Sequence, residues 1–234
     1  CAKSEEARKI VADLMLELAG VCGAKRVHIG CDEVMELGLC DRCKGVPHEK
    51  LYADWVNGLA RGLKQKGYEV LMWGDRLIDT RDYWNDDMSD EAYDKGMSGT
   101  KGALKLIDRD ITICDWQYFV RRDYPSLRMF KSLGFTVLTC PWHTLDGTAA
   151  QCRFAHANGI DGVMSTTWGD GTGKERGRYV ANAFAGTACQ AWSLDYPPSD
   201  RWKWNYDLDF IKSLREVEWD MGLEDVADTG TYGE

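Results

Sequence analysis

Five short apolar runs, each followed by a tryptophan or by acidic residues, constrain the fold of this 234-residue chain most strongly. They are Val27–Val34, Val70–Asp75, Ile111–Tyr118, Val137–His143 and Gly162–Asp170. Each run is short enough for a fully buried strand, and helix-like stretches that close on Gly67 and Gly134 precede two of them. The pattern predicts repeated βα units, and therefore an α/β protein of the (β/α)8 TIM-barrel type.

Right-handed βα repetition brings the C-terminal ends of all strands to one face, so we expect the residues there to surround one pocket. These residues are Asp32, Glu33, Trp73, Asp75, Trp116, Tyr118, Trp142, His143, Trp168 and Asp170. Aromatic walls with a few carboxylates are typical of a carbohydrate site, because sugar C–H faces pack on indole while hydroxyls bond to acids. The alternatives are core packing for any single tryptophan and a helix cap for Asp32.

The run around the first strand end resembles a known signature. His28-Ile29-Gly30-Cys31-Asp32-Glu33 is similar to the His-x-Gly-Gly-Asp-Glu motif of family 20 glycoside hydrolases, the β-N-acetylhexosaminidases, with Cys31 in place of the second glycine. In chain order, Met72–Asp75 resembles the next strand with its sugar-binding tryptophan, Pro141–His143 the Pro-Trp-Tyr strand, and Trp168–Asp170 the Trp-Gly-Glu strand that holds the terminal sugar. The resemblance covers most of the chain.

This resemblance implies a retaining glycosidase that removes terminal β-linked (N-acetyl)hexosamine residues from glycans with substrate assistance and without a cofactor. Glu33 would protonate the leaving oxygen and then activate water, with a pKa raised by burial among tryptophans and by the charge of Asp32. Asp32 would orient the acetamido nitrogen. His28 would support the two carboxylates by hydrogen bonding, and the aromatic residues would bind the carbohydrate.

Two departures from the family pattern concern the sugar. His143 stands where the family has the tyrosine that binds the acetamido carbonyl, so we expect weaker preference for N-acetyl sugars, unless Tyr118 supplies the hydroxyl. Asp170 replaces a glutamate and shortens the reach to sugar hydroxyls by one methylene. Two other functions stay open: a carbohydrate-binding or catalytically silent barrel fragment, and a metal-dependent barrel enzyme. The ligands of the latter would be Asp32, Glu33, Asp75 and His143.

The resemblance also indicates a partial barrel of about strands four to eight. The first helix is predicted for Ser4–Ala19, ahead of the fourth strand. We expect residues 1–194 to form the partial barrel, and residues 195–234 a C-terminal helical segment and tail of the same domain. The missing strands would lie in a longer parent chain, for which we expect secretion or a periplasmic location. This polypeptide alone is then expected to be inactive and to self-associate through open sheet edges.

The amino-acid composition also indicates which classes of partner the protein can bind. Hydrophobic residues make up 44% of the chain and charged residues 29%, which is ample for a buried core. The net charge of −9 argues against nucleic acid, because phosphate binding requires a basic face. Apolar stretches long enough to span a bilayer are absent from the sequence.

Nine cysteines raise the question of metal or disulfides. Cys31, Cys40, Cys43 and His48 have a spacing that could hold a structural zinc ion, although only one Cys-x-x-Cys knuckle is present. A disulfide such as Cys40–Cys43 is a further alternative. Free thiols without a bound metal are the favoured interpretation.

Overall fold

A computed structural model of the chain describes residues 1–79, 99–142, 144–168 and 182–194. Five strands form one sheet in sequential order. The strands are β1 (Arg26–His28), β2 (Glu69–Trp73), β3 (Thr112–Trp116), β4 (Val137–Cys140) and β5 (Gly162–Val163). The helices are α1 (Glu5–Val21), α2 (His48–Lys64), α3 (Pro125–Ser132), α4 (Leu145–Asn158) and α5 (Thr187–Trp192). The parallel sheet with alternating helices confirms the predicted α/β class and partial barrel.

The strand register brings the residues that follow β1 and β2 to one edge of the sheet. β1 and β2 are parallel with Val27 opposite Val70, and β2 and β3 are parallel with Met72 opposite Ile113. Because neighbouring strands run in the same direction, their carboxyl ends lie side by side. The residues that follow β1 and β2 therefore occupy the same edge.

Helix α1 begins where the sequence predicts it. Ser4 is its N-cap, and the Ser4 hydroxyl accepts a hydrogen bond of 3.2 Å from the backbone N–H of Ala7. Acidic residues at positions 5 and 6 lie in the first turn, where they favour the positive end of the helix dipole. The helix packs on α2 and β1, and Ala19 is its buried residue.

The chain divides into two compact units, of which the first comprises Cys1–Asp115 and Pro125–Leu138. Its core contains one face of α2, which buries Val56, Leu59 and Leu63 at helical spacing. Met72 of β2 is fully buried in the same unit. Short 3₁₀ turns follow β2 at Asp75–Leu77 and precede β3 at Lys101–Lys105.

The second unit comprises Trp116–Tyr124 and the described residues from Thr139 onward. Tyr124 and Phe154 meet edge to face, with ring centroids 5.2 Å apart. The sequence predicts a helix from about residue 178 to residue 193. Within the described residues this region begins with a wide π-type turn, Asn182–Gly186, and continues as α5. Residues 195–234, predicted as a helical segment and tail, lie outside the described residues.

None of the described helices is both long enough and apolar enough to cross a bilayer.

Candidate functional site

The predicted catalytic carboxylates lie in a tight turn after β1, which we call the carboxylate turn (Gly30–Glu33). Gly30, Cys31 and Glu33 have φ angles of 67°, 71° and 44°. The left-handed region costs a residue with a side chain about 1–3 kcal/mol, and such strain clusters at functional sites. Two strained residues therefore flank Asp32, in a turn that the surrounding structure must hold in place.

Two buried side chains hold the backbone of the carboxylate turn. The Tyr52 hydroxyl, on α2, donates a hydrogen bond of 2.6 Å to the carbonyl oxygen of Cys31. The N–H of Glu33 donates to Oδ2 of Asp75 over 3.0 Å. Tyr52 is 3% exposed and Asp75 is 5% exposed, so both bonds are shielded from competing water.

Asp75 is electrostatically unusual. Burial raises the pKa of its carboxyl from 3.8 to about 6, although the Glu33 N–H and the Arg76 guanidinium oppose that shift. Arg76 is fully buried, and its Nε lies 3.4 Å from Oδ2 of Asp75. We predicted Asp75 as a substrate-binding residue; in the structure it binds the backbone of Glu33.

The two carboxylates of the turn differ in exposure. Asp32 is half-buried, and its Oδ1 lies 3.7 Å from the position that a Cβ on Gly30 would take. Glu33 is exposed. The burial among tryptophans that we expected for Glu33 is therefore not observed, because Asp75 holds the backbone N–H of this residue while its side chain remains exposed.

His28 and Trp73 complete the group in the first unit. Nδ1 of His28 accepts a hydrogen bond of 3.1 Å from the backbone N–H of Gly30. The His28 ring lies 4.4 Å from the Trp73 ring, and the backbone N–H of Trp73 donates to the carbonyl oxygen of Gly30 over 3.1 Å. His28 thus supports the backbone of the carboxylate turn, whereas we expected it to bond to the carboxylates themselves.

Four predicted aromatic residues form a second group, which lies in the second unit. This aromatic group consists of Trp116, Tyr118, Trp142 and Trp168. Tyr118 is its centre: it stacks on Trp116 with centroids 5.3 Å apart and meets Trp142 at 5.4 Å. Nε1 of Trp168 donates to the Tyr118 hydroxyl over 2.6 Å. Trp168 is 37% exposed, so the group presents an indole surface to solvent.

Helix α4 positions the backbone beneath the aromatic group. The Thr148 hydroxyl donates to the carbonyl oxygen of Trp142 over 3.2 Å, and Nε2 of Gln151 donates to that of Gln117 over 2.8 Å. Gln151 is fully buried, and its Oε1 accepts a hydrogen bond of 2.6 Å from Thr139. All three hydrogen bonds join uncharged groups.

A glycine allows α4 to approach Tyr118 closely. A Cβ on Gly147 would lie 2.5 Å from Oγ1 of Thr144 and 3.2 Å from the carbonyl oxygen of Tyr118. Thr144 itself donates to that carbonyl over 3.2 Å. Of the other predicted site residues, His143 and Asp170 lie outside the described residues.

Comparisons with known proteins bear on the fold. No family model matches the chain, and no curated protein matches it. An inactive mutant of the GH20 exo-β-N-acetylglucosaminidase from Vibrio harveyi has a similar structure, with a TM-score of 0.55 and 12% identity over 96% of this chain and 36% of that one. The complex of that enzyme with N-acetylglucosamine gives a TM-score of 0.53 at 12% identity over the same shares. Dispersin B gives 0.42 at 19% identity, over 73% of this chain and 53% of that one.

The chain has the fold of part of a (β/α)8 barrel. It spans 36% of the length of the two Vibrio harveyi structures. The similarity to those glycosidase structures, at 12% identity, concerns the fold.

Three residues that the sequence did not single out prove important. Tyr52 and Arg76 support the carboxylate turn, and Cys1 lies beside Cys40 and Cys43. The sequence contains one signal for this support, which is the Asp75-Arg76 pair directly after a strand. Burial of a charged pair carries a desolvation cost, so such a pair at a strand end indicates a functional role. Tyr52 has the helical spacing of any core residue, and the contact of Cys1 spans about 40 residues, so neither could be found from sequence.

The zinc ligands considered from the sequence are only partly brought together. Cys40 and Cys43 are adjacent, and hydrogen bonding to Cys43 lowers the pKa of the Cys40 thiol. Cys31 instead donates to the carbonyl oxygen of Ile29 over 3.4 Å, and burial raises its pKa to about 12. The ring of His48 packs against Gly38. Within the described part of the chain, Cys31 and His48 do not join the cysteine group.

Proposed function

We propose that the chain carries the acid/base region of a retaining glycoside hydrolase of the β-N-acetylhexosaminidase type. The observation that carries this proposal is the carboxylate turn, which holds Asp32 and Glu33 at the carboxyl end of a parallel strand with left-handed residues on both sides of Asp32. Catalytic residues of barrel enzymes come from this end of the strands. A turn under strain at that place is better explained by chemistry than by packing.

The conformation of Cys31 supports the alignment with the family signature. Its φ of 71° lies in the region that glycine adopts without steric cost, and glycine is the residue that the signature has at this position. The backbone at Cys31 therefore has a conformation that suits the glycine of the signature, which supports the alignment.

Glu33 is proposed as the acid and base. Its exposed side chain can reach a glycosidic oxygen, protonate it, and then deprotonate the water that completes hydrolysis. Asp32, half-buried beside it, is proposed to orient the acetamido nitrogen of the substrate and to stabilise the positive charge of the cyclised intermediate. Asp75 and Tyr52 act through the backbone and are positioning residues.

The aromatic group is proposed to bind the sugar. Indole faces at Trp116, Trp142 and Trp168 suit the C–H faces of a pyranose, while Tyr118 offers a hydroxyl that can also donate a hydrogen bond. The Vibrio harveyi enzyme is bound to N-acetylglucosamine in one of the similar structures, so an N-acetylhexosamine is the sugar to test first.

A second candidate function is carbohydrate binding without turnover. The specific observation in its favour is the exposure of Glu33, because a glycosidase general acid typically lies in an apolar pocket. The metal-dependent alternative has less support. Among the described residues, Asp32, Glu33 and Asp75 do not gather their oxygens into one group of possible metal ligands.

The proposal is tested by Glu33→Gln in the full-length protein with an aryl N-acetylglucosaminide as substrate. The amide has the shape of the acid but cannot donate its proton, so we expect kcat to fall about 100- to 10,000-fold. Binding of N-acetylglucosamine, followed by calorimetry, should be retained. Glu36→Gln is the matched control, since Glu36 is an exposed glutamate three residues further along the same loop.

Three outcomes separate the functions. Loss of kcat in Glu33→Gln alone supports the hydrolase. Turnover within a few-fold of the unmodified protein contradicts the assignment of Glu33. Sugar binding with no turnover in the unmodified full-length protein shows the carbohydrate-binding function instead.

A further inference from the structure

In the loop that follows the carboxylate turn, the sulfurs of Cys40 and Cys43 lie close to the sulfur of Cys1. We call these three residues the thiol cluster (Cys1, Cys40 and Cys43). Sγ of Cys1 lies 3.4 Å from Sγ of Cys43 and 3.3 Å from Sγ of Cys40. All three sulfurs lie within 4.8 Å of one another. Sequence spacing predicts the closeness of Cys40 and Cys43, but Cys1 reaches them from another element.

The backbone presents these sulfurs as a metal knuckle does. The N–H groups of Cys43 and Lys44 both donate to the carbonyl oxygen of Cys40 over 2.9 Å, which closes a tight turn around the Cys-x-x-Cys pair. The carbonyl oxygen of Cys1 accepts the N–H of Ser4 over 2.9 Å, so the third cysteine is fixed to the start of α1. The backbone of each of the three cysteines is therefore held by a hydrogen bond.

A disulfide does not account for three sulfurs, because any pairing leaves one thiol over. Tetrahedral zinc with Zn–S bonds of about 2.3 Å separates its sulfurs by about 3.8 Å. The separations of 3.3 and 3.4 Å fall short of that by only a few tenths of an ångström, which side-chain rotation supplies. Cys43 is 1% exposed while Cys1 and Cys40 are exposed, so an ion could enter from solvent.

We propose that Cys1, Cys40 and Cys43 bind one thiophilic divalent cation of the zinc type. Within the described residues no further histidine, cysteine or carboxylate joins the group, so solvent or an added ligand takes the fourth position. A cavity of about 530 Å³ borders the cluster and is lined by Trp55, Val11 and Leu59 among others. Solvent and a small ligand both have access to that position through it.

The bound ion would tie the loop that follows Asp32 and Glu33 to the first turn of α1. No helix or strand is assigned to this loop between Val34 and Leu39. A cross-link at Cys40 and Cys43 would restrict its motion, as a structural zinc does in small domains. The inference does not depend on the proposed hydrolase function.

The test is a titration of the reduced 234-residue protein with Co²⁺, kept under a non-thiol reductant. We expect one equivalent of Co²⁺ to bind with thiolate-to-metal absorption and the visible bands of a tetrahedral site, and Zn²⁺ to displace it. Cys40→Ser should weaken binding at least tenfold. Because Cys40 is exposed, that variant should keep its fold, which circular dichroism would verify.

Cys22→Ser is the matched control, because Cys22 is also an exposed free thiol but lies outside the cluster. It should bind Co²⁺ as the unmodified protein does. Absence of the thiolate absorption, or equal losses in Cys22→Ser and Cys40→Ser, would overturn the proposal. A Cys40–Cys43 disulfide that persists under the reductant, detected by mass spectrometry, would overturn it as well.

Discussion

The carboxylate turn and the aromatic group are both built at strand ends, but different forces hold them. The carboxylate turn is strained, and a buried carboxyl beside a buried guanidinium fixes its backbone. The aromatic group is relaxed, and uncharged hydrogen bonds from α4 fix its backbone. Charged, strained support suits a site that must move protons, whereas neutral support suits a surface that only binds.

This difference predicts that stability depends on pH through the carboxylate turn. Folding raises the pKa of Asp75 from 3.8 to about 6, so the folded state favours the protonated form. The contribution of the protonated Asp75 carboxyl to the free energy of unfolding is fully present below about pH 4 and is lost as the pH rises through 6. The difference between a pKa of 3.8 and a pKa of about 6 corresponds to about 3 kcal/mol of unfolding free energy.

Urea unfolding between pH 4 and pH 7 measures this effect in Asp75→Asn. The amide is neutral throughout and its oxygen can still accept a hydrogen bond from the Glu33 N–H. The free energy of unfolding of the variant should therefore not fall by about 3 kcal/mol over this pH range. Asp54→Asn is the control, because that carboxyl is exposed and pairs with Lys50 on the surface. Parallel pH profiles for Asp75→Asn and the unmodified protein would contradict the account.

Glycine substitutions compare the packing of the two regions. A Cβ on Gly74 would lie 2.8 Å from Cγ2 of Ile113 and 3.1 Å from the Phe130 ring, both fully buried. Gly74→Ala should therefore cost about 1–3 kcal/mol by overpacking. Gly147→Ala should cost less, because Thr144 can rotate its hydroxyl away.

Chemical denaturation of the two variants checks this order, with Gly62→Ala as control. Gly62 lies inside α2 with open space where a Cβ would be, so alanine should stabilise by up to about 1 kcal/mol. A larger loss in Gly147→Ala than in Gly74→Ala would show that the aromatic side is the more rigid.

The smallest expected effect is that of Tyr52→Phe. It removes one buried hydrogen bond to the carbonyl oxygen of Cys31 and should cost about 1 kcal/mol. Because Tyr52 acts through the turn, kcat on an aryl N-acetylglucosaminide should fall while KM stays near its original value. Tyr68 is a half-buried tyrosine between α2 and β2, so the control variant Tyr68→Phe should change neither kcat nor KM.

The sequence predicts the sheet better than it predicts the support of the site. Strand positions follow from the apolar runs, and the start of α1 from its Ser4 cap, because both are encoded by neighbouring residues. The exposure of Glu33 and the role of Asp75 depend on a left-handed backbone and on burial of a charge. Those properties arise from contacts distant in sequence, such as that between Glu33 and Asp75, which are 42 positions apart.

The division of roles between the two regions is tested most directly by one paired measurement on the full-length protein. It determines kcat on an aryl N-acetylglucosaminide and the Kd for N-acetylglucosamine in Glu33→Gln and Trp168→Ala. We predict that Glu33→Gln loses kcat and keeps Kd, while Trp168→Ala weakens Kd about tenfold and keeps most of kcat. A Glu33→Gln protein that turns over normally, or a Trp168→Ala protein that binds the sugar normally, would contradict the account.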